Sequence, residues 1–181
     1  IRIGDPLADD TEMGPLATRA QRDRIEAVVA ESIDQGATLH TGGCRPEGLD
    51  VGWYYRPTVL ECADQEVRST RVELFGPVMS VLSFDTEDEA VALANDTEFG
   101  LGAGIFTRDV SRVHRVARAI RSGIVWVNTY RAISPIAPFG GFGNSGSGRE
   151  AGVDAIHEFT TTKTVWINTS TEPMSNPFTM R

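Results

Sequence analysis

The first part of the chain has the apolar spacing of an amphipathic helix. Thr18 and Gln21 form the pattern of a capping box, which predicts that a helix begins there. Gly36 is placed to end that helix. The apolar residues between these points share one helical face: Ile25, Val28, Val29 and Ile33. The pattern therefore predicts one helix that packs on a core through this face.

Two extended segments follow the first helix. Apolar and polar residues alternate over residues 37–41, which predicts a short strand that ends at the following glycine pair. Residues 53–60 predict a second extended segment. Pro57 lies inside it and has no N–H to donate, so we expect this segment at the edge of a sheet.

From Val78 onward, predicted strands and helices alternate. The apolar run over residues 78–84 predicts a strand, and Thr86 with Glu89 predicts the start of a helix that buries Ala90, Val91 and Ala94. The elements predicted next are a strand at 101–107, a helix from Asp109 to a stop at Gly123, and a strand at 124–127. Helical connections favour parallel strands with right-handed crossovers. The sequence therefore predicts an α/β fold with an open, mostly parallel sheet and flanking helices.

The remainder of the chain contains one long loop and one further strand. Ligands in open α/β sheets bind beyond the carboxyl ends of the strands, which is where the irregular residues 128–150 should lie. Residues 153–159 predict one or two helical turns. Residues 163–168 predict an edge strand that no later element covers, followed by a loose tail. We expect a domain at 1–162, and a C-terminal strand with its tail at 163–181.

Composition narrows the class of protein. The 181 residues carry a net charge of −8, which disfavours general nucleic-acid binding. Five arginines recur at helical spacing and indicate the solvated face of one helix: Arg108, Arg112, Arg115, Arg118 and Arg121. Two cysteines are too few for a disulfide framework, and no apolar run reaches the roughly 20 residues of a membrane span. We expect a cytoplasmic protein.

One candidate binding motif stands at residues 72–78. Glu73 and Phe75 directly precede Gly76 and Pro77, a pair that stiffens the backbone presenting them. A fixed carboxylate beside a fixed ring suits a ribose hydroxyl pair and the flat ring attached to it. Taken alone, the segment is more typical of a turn before a strand, with a solvated glutamate and a core phenylalanine.

The glycine-rich part of the long loop does not indicate a nucleotide-binding fingerprint. Gly141, Gly143 and Gly146 have the spacing of that motif, but no strand directly precedes them and no acid follows about 20 residues later. Ser145 lacks the closing glycine of a hydrolase elbow. Bending of a surface loop is the better interpretation.

The sequence contains no pattern of an activated nucleophile or a metal site. A base, a cation or a helix start would be needed to lower a thiol pKa. Cys44 has His40 four residues earlier, but neither Cys44 nor Cys62 has a recognisable signature of an activated thiol. The three histidines have no metal-ligand spacing: His40, His114 and His157. The chain therefore has candidate binding residues but no candidate catalytic residue or metal ligand.

Six motifs in register point to a known family. They are ELFGPV at 73–78, FGL at 99–101, GIVWVN at 123–128, PFGGF at 138–142, SGSGRE at 145–150 and TKTV at 162–165. Together they closely resemble the C-terminal part of the NAD(P)-dependent aldehyde dehydrogenases, up to about residue 168. Gly143 is a departure, because many relatives carry lysine after the aromatic residue.

The resemblance implies an enzyme that oxidises an aldehyde to a carboxylic acid with NAD or NADP. In the family a cysteine thiolate attacks the aldehyde to form a thiohemiacetal, hydride passes to the nicotinamide, and a glutamate activates the water that releases the acid. These two residues and the Rossmann domain lie upstream of anything in this chain, which begins at Ile1. The resemblance therefore implies a C-terminal fragment that is inactive alone. The alternative is a standalone, non-catalytic binding or assembly module.

The resemblance also implies roles for single residues. Glu73 matches the glutamate that holds the nicotinamide ribose, and Phe75 matches the aromatic residue beside the nicotinamide. Ala132, Ile133 and Phe139 match residues around the aldehyde tunnel.

Two further expectations concern partners. Residues 163–168 resemble the strand that pairs with another subunit, which implies a homo-dimer or tetramer. Arg131 precedes the matched tunnel residues, and its guanidinium predicts a modest preference for aldehydes that carry an anion. The alternative is a solvated arginine that points away from the tunnel.

Overall fold

The computed structural model describes residues 1–172, 176 and 178, and the chain divides into two compact units. Unit 1 comprises Ile1–Glu98 and Thr107–Arg121, and unit 2 comprises Phe99–Phe106 and Ser122–Arg181. Of the tail predicted to be loose, residues 173–175, 177 and 179–181, with Pro173 and Pro177, lie outside the described residues. The domain boundary predicted at residue 163 stays a prediction.

Unit 1 is a three-stranded sheet with helices. Its elements are α1 (Arg19–Asp34), β1 (Thr38–Thr41), β2 (Thr58–Glu61), α2 (Arg68–Arg71), β3 (Val78–Val81), α3 (Glu87–Asn95) and α4 (Val110–Ala119). Strand β2 lies in the centre, antiparallel to β1 and parallel to β3. The edge position predicted from Pro57 is wrong, because β2 begins after Pro57 and Thr58 donates the first N–H, to the carbonyl oxygen of Pro77 at 2.8 Å.

Helix α1 agrees with its predicted limits and supplies much of the core. The side-chain oxygen of Thr18 accepts from the N–H of Gln21 at 3.1 Å, and Gly36 follows the helix with φ of 101°. The apolar face packs into a cluster of buried residues: Ile25, Val28, Val29, Ala37, Tyr55, Leu60, Cys62, Val67 and Leu74. The predicted helix and its buried face are confirmed, although Ile33 at the end of the face is partly exposed.

Helix α3 begins as predicted but is buried less than predicted. The Thr86 hydroxyl accepts from the N–H of Glu89 at 3.1 Å. Ala90 and Val91 are half-buried, whereas Ala94 is exposed. The expectation that α3 buries all three residues is therefore wrong for Ala94.

Helix α4 carries the arginine face. Asp109 caps its start, with the carboxylate accepting from the N–H of Arg112 at 3.1 Å. Arg112 and Arg115 are exposed and donate to Glu87 at 3.0 and 2.9 Å, which lowers the pKa of that carboxyl, Arg115 making the larger contribution. The helix ends at Ala119, so the predicted stop at Gly123 comes four positions late.

Unit 2 contains a two-stranded parallel sheet and irregular segments. Strand β4 (Gly102–Ile105) pairs with β5 (Ile124–Val127), and 3-10 turns occupy Gly143–Ser145 and Val153–Phe159. Because β3 pairs with β2 and β4 with β5, the strands form two small sheets rather than one open sheet. The fold is mixed α/β, as predicted, and two of the three strand pairings in the described part of the chain are parallel.

Residues 163–168 lie in no helix or strand among the described residues, so the edge strand predicted there is not present in this structure. Val165, Trp166 and Ile167 are exposed, Trp166 to 92%. Pairing of this segment with a second subunit stays a prediction. The described helices include none long and apolar enough to cross a membrane.

Candidate functional site

The core of unit 1 anchors the segment that contains Glu73 and Phe75. The Leu74 side chain is buried in the hydrophobic cluster. The side-chain amide of Gln21 donates to the carbonyl oxygens of Leu74 and Phe75, the second at 3.2 Å. A β-carbon on Gly76 would overlap the terminal methyl group of Ile25, so only glycine allows this close approach. The segment is thus attached to helix α1 from both sides of Phe75.

This anchoring directs the two candidate side chains away from the core. Phe75 adopts φ of 50°, an uncommon conformation for a bulky residue, and its side chain is 73% exposed. Glu73 is exposed and makes no hydrogen bond or ion pair with the described residues. The interpretation of Phe75 as a core residue is therefore wrong, and the carboxylate and ring are both available to a ligand.

A cavity of about 360 Å³ lies against this segment within unit 1. Leu74, Phe75 and Gly76 form part of its wall, and the hydroxyl-bearing residues Ser69 and Ser80 form another part. The Ser80 hydroxyl is 2.9 Å from that of Ser69. The wall therefore joins an aromatic ring to a small polar patch.

The second group of predicted residues lies after β5 in unit 2. A cleft of about 410 Å³ is lined by Leu101, Gly102, Trp126, Tyr130, Arg131, Ile133 and Phe139. The rings of Trp126 and Tyr130 meet edge to face, with centroids 5.3 Å apart. The indole N–H of Trp126 donates to the carbonyl oxygen of Ala132 at 2.8 Å. Ile133 and Phe139 are thus brought to one cleft, whose neighbouring backbone includes Ala132.

Arg131 lines the same cleft in an unusual backbone conformation, with φ of 59°. It is exposed, and its guanidinium makes no hydrogen bond or ion pair within the described part of the chain. The cleft therefore presents a positive charge beside apolar and aromatic walls.

Backbone pairing and Arg149 close the long loop. Phe139 and Glu150 exchange two backbone hydrogen bonds of 2.7 and 2.8 Å. Arg149 donates to the carbonyl oxygens of Gly141 and Gly148 at 3.0 and 2.6 Å. This role of Arg149 was not predicted from the sequence, in which its place at the end of the glycine-rich stretch is the one signal. A 3-10 turn replaces the strand–helix junction of a nucleotide fingerprint here, which supports the loop interpretation.

The structure gives neither cysteine an activating partner among the described residues. Cys62 is buried, and its sulfur lies 3.8 Å from the Ser69 hydroxyl. Cys44 is exposed and bonds to no base or cation in this part of the chain. His40 pairs instead with Glu61 at 2.7 Å. No group of acidic, cysteine and histidine residues that could hold a metal ion occurs in the described ranges.

Similarity to known proteins extends over nearly the whole chain. The aldehyde dehydrogenase family profile matches residues 1–165. A (Z)-2-((N-methylformamido)methylene)-5-hydroxybutyrolactone dehydrogenase from Acinetobacter baylyi is 53% identical over 100% of this chain and 37% of its own length. A betaine aldehyde dehydrogenase from Brucella anthropi is 47% identical over 92% of this chain and 35% of its own length.

Solved structures show the same likeness. An aldehyde dehydrogenase from Mycobacterium tuberculosis complexed with NAD+ matches with a TM-score of 0.87 at 39% identity, over 96% of this chain and 36% of that one. A doubly substituted betaine aldehyde dehydrogenase from Staphylococcus aureus in complex with NAD+ matches with a TM-score of 0.90 at 37% identity, over 99% of this chain and 37% of that one. The chain thus spans about a third of the length of these relatives. The predicted α/β fold class is confirmed, and the chain belongs to the aldehyde dehydrogenase family.

Proposed function

We propose that this chain is the C-terminal part of an aldehyde dehydrogenase that oxidises an aldehyde to a carboxylic acid with NAD or NADP. The observation that carries the proposal is the pairing of an exposed, unpartnered carboxylate with an exposed ring on one anchored turn, Glu73 and Phe75. Family membership supports it, and so do the NAD+ complexes of the similar structures. In this proposal the chain positions the cofactor and the aldehyde.

The residues of unit 1 fit a nicotinamide nucleotide. An ionised carboxylate only accepts hydrogen bonds, so Glu73 suits the two adjacent hydroxyl groups of a ribose. The Phe75 ring offers an apolar surface to the flat nicotinamide. The bound cofactor supplies the hydride acceptor. Anchoring by Leu74 and Gln21 fixes both groups before the cofactor binds, which lowers the entropy cost of positioning it.

The cleft of unit 2 fits the aldehyde. Ile133 and Phe139 line it with apolar surface, the Ala132 backbone bonds to Trp126 in its wall, and apolar walls exclude water from a reacting group. The described residues provide no activated thiol, so the proposal places the nucleophilic cysteine, the general-base glutamate and the Rossmann domain in a portion of the protein upstream of Ile1. This chain alone then binds without catalysing.

Assaying NADH formation from NAD+ and an aldehyde tests the proposal, with this chain alone and with the complete native protein. We expect steady formation by the complete protein and none by this chain. Steady NADH formation by this chain, abolished by Cys44→Ser or Cys62→Ser, would mean that one of these thiols is the nucleophile. A native protein whose intact mass equals that of this chain would favour a standalone binding module.

We also propose that residues 163–168 pair with a second copy of the protein. The segment exposes Val165, Trp166 and Ile167, and contiguous exposed apolar side chains are typical of a surface that binds another chain. Light scattering on the purified chain at micromolar concentration should detect dimers or tetramers, whereas a clean monomer would contradict this assignment.

The two free cysteines fit a reducing compartment, which supports a cytoplasmic location.

A further inference from the structure

We propose that Arg131 makes the cleft after β5 selective for organic anions, so that the preferred aldehydes carry a carboxylate or a similar anionic group away from the carbonyl carbon. This inference rests on the proposed function, because it names the substrate class of the same cleft. It goes beyond that function by assigning selectivity to one side chain.

The first observation is that the Arg131 guanidinium is unsatisfied. The other arginine described in unit 2, Arg149, donates to two backbone carbonyl oxygens and lies over the ring of Phe142 at 4.9 Å. Arg131 makes no comparable contact with any described residue. A guanidinium has five N–H donors in a planar fork and stays charged at every physiological pH. Arg131 therefore keeps its full donor capacity for a ligand.

The second observation is that the backbone of Arg131 is held from both sides. Tyr130 packs its ring against Trp126, and the carbonyl oxygen of Ala132 accepts from the indole of the same Trp126. Arg131, between them, adopts φ of 59°. Non-glycine residues persist in such conformations when their surroundings over-determine them, and these residues cluster at ligand sites. Trp126 belongs to strand β5, so its contacts with the residues on both sides fix the backbone position of Arg131 relative to that strand.

The third observation is the lining of the cleft. Its described walls carry no acidic residue, so no neighbouring carboxylate in the lining neutralises Arg131. Trp126, Tyr130 and Phe139 line the same cleft with aromatic, largely apolar surface, and apolar surroundings strengthen a charge-assisted hydrogen bond. A carboxylate matches the guanidinium fork through two parallel hydrogen bonds. The cleft therefore favours a small molecule with an apolar body and one anionic end.

The size of the effect follows from the exposure of Arg131. Exposed ion pairs contribute little, so we expect a preference of about fivefold rather than orders of magnitude. Closure of the loop over a bound ligand would enlarge it, because the pair would then be screened less by water.

The test uses the complete enzyme and two substrates that differ in one terminal carboxylate, succinic semialdehyde and butanal. We expect Arg131→Ala to lower the ratio of their kcat/KM values about fivefold, mainly through a higher KM for the semialdehyde. Arg131→Gly should lower the ratio by the same factor. Glycine adopts the positive φ of this position without strain, so the same result in both variants would mean that the lost charge, and not a disturbed backbone, is the cause. The control is Arg118→Ala, which removes the same charge from an exposed position on helix α4. An unchanged ratio in both Arg131 variants would overturn the inference.

Calorimetry keeps the inference testable apart from catalysis. The dissociation constants of succinate and butyrate, measured on the same proteins, should differ in favour of succinate in the wild type and the Arg118 variant. The two Arg131 variants should lose this preference. If the wild type oxidises neither aldehyde, the proposed function fails. If the ratio of the succinate and butyrate dissociation constants is the same in the wild type and in all variants, Arg131 does not bind the anionic group.

Discussion

Unit 1 and unit 2 hold their candidate residues by different means. The buried hydrophobic side chains of the described residues all belong to unit 1, where Leu74 and Ile25 anchor the turn that carries Glu73 and Phe75. Unit 2 has no side chain of this kind among its described residues. Its loop depends on backbone hydrogen bonds, on Arg149 and on close backbone packing at glycines.

The contrast indicates how the two groups of residues respond to change. In a close-packed hydrophobic core, the loss of one methyl group disturbs the packing of the residues around it and of the segments anchored there. A loop closed by hydrogen bonds and glycine contacts tolerates changes in exposed apolar residues, but it does not tolerate a bulkier residue at a backbone contact. The candidate cofactor residues should therefore depend on core volume, and the candidate aldehyde residues on backbone geometry.

Removing core volume should have the largest effect on stability. Ile25 is 0% exposed, and we expect Ile25→Ala to lower the free energy of unfolding by about 2–5 kcal/mol, because it removes buried methyl groups and leaves a cavity. The matched change in unit 2 is Ile156→Ala, at a side chain 58% exposed, which should cost far less. Urea denaturation of both variants measures this, and equal losses would refute the comparison.

Adding one methyl group should have the next largest effect, in unit 2. A β-carbon on Gly123 would overlap the carbonyl oxygen of Gly140, so Gly123→Ala should destabilise the start of β5 by about 1–3 kcal/mol. Gly104→Ala is the control, since its new β-carbon would lie 3.7 Å from the Phe106 ring, an ordinary contact. Amide hydrogen exchange in β4 and β5 should accelerate only in the first variant.

Loss of the Gln21 amide should loosen the Glu73 segment without unfolding unit 1. Gln21→Ala removes the donor to the carbonyl oxygens of Leu74 and Phe75, a contribution of about 1 kcal/mol. Faster amide exchange at Phe75 and Gly76 is the expected readout. Arg24→Ala, an exposed change on the same helix, should leave those amides unaffected. Identical exchange rates of the Phe75 and Gly76 amides in the two variants would mean that Gln21 does not stabilise the Glu73 segment.

The smallest expected effect concerns acid. A hydrogen bond from Arg45 lowers the pKa of Glu26, so this pair stabilises the folded state above the unfolded pKa of the carboxyl. The contribution of such a solvent-exposed pair is small, and it is lost as pH falls through the folded pKa. Glu26→Gln should therefore lower the urea midpoint near neutral pH and leave it nearly unchanged in acid. A parallel loss at both pH values would exclude the ion pair as the cause.

Local signals in the sequence were enough to predict α1, α3 and β5, because capping residues and apolar spacing act within a few positions. The centre of the first sheet was not predictable in this way, since the position of β2 depends on pairing with β3, distant in sequence. Gln21 illustrates the same limit. Its place three positions after Thr18 indicates a capping box, yet its amide bonds to residues 53 and 54 positions away.

The candidate site shows a similar division. The motif at residues 73–78 identified Glu73 and Phe75, but their exposure follows from the buried Leu74 between them and from Gly76 packing on Ile25. The residues after β5 were found by resemblance, whereas the contact of Trp126 with Ala132 depends on how the loop folds back.

The most direct test of the account replaces the one carboxylate on which the proposed function depends. Glu73→Gln in the complete enzyme should weaken NAD+ binding or slow hydride transfer by about tenfold or more, because two charge-assisted hydrogen bonds lose their charge. The urea midpoint should not change, since Glu73 is exposed and makes no hydrogen bond or ion pair with the described residues. Glu47→Gln, at another exposed glutamate, should leave both properties unaltered. A Glu73→Gln enzyme with wild-type kinetics at limiting and saturating NAD+ would contradict the account.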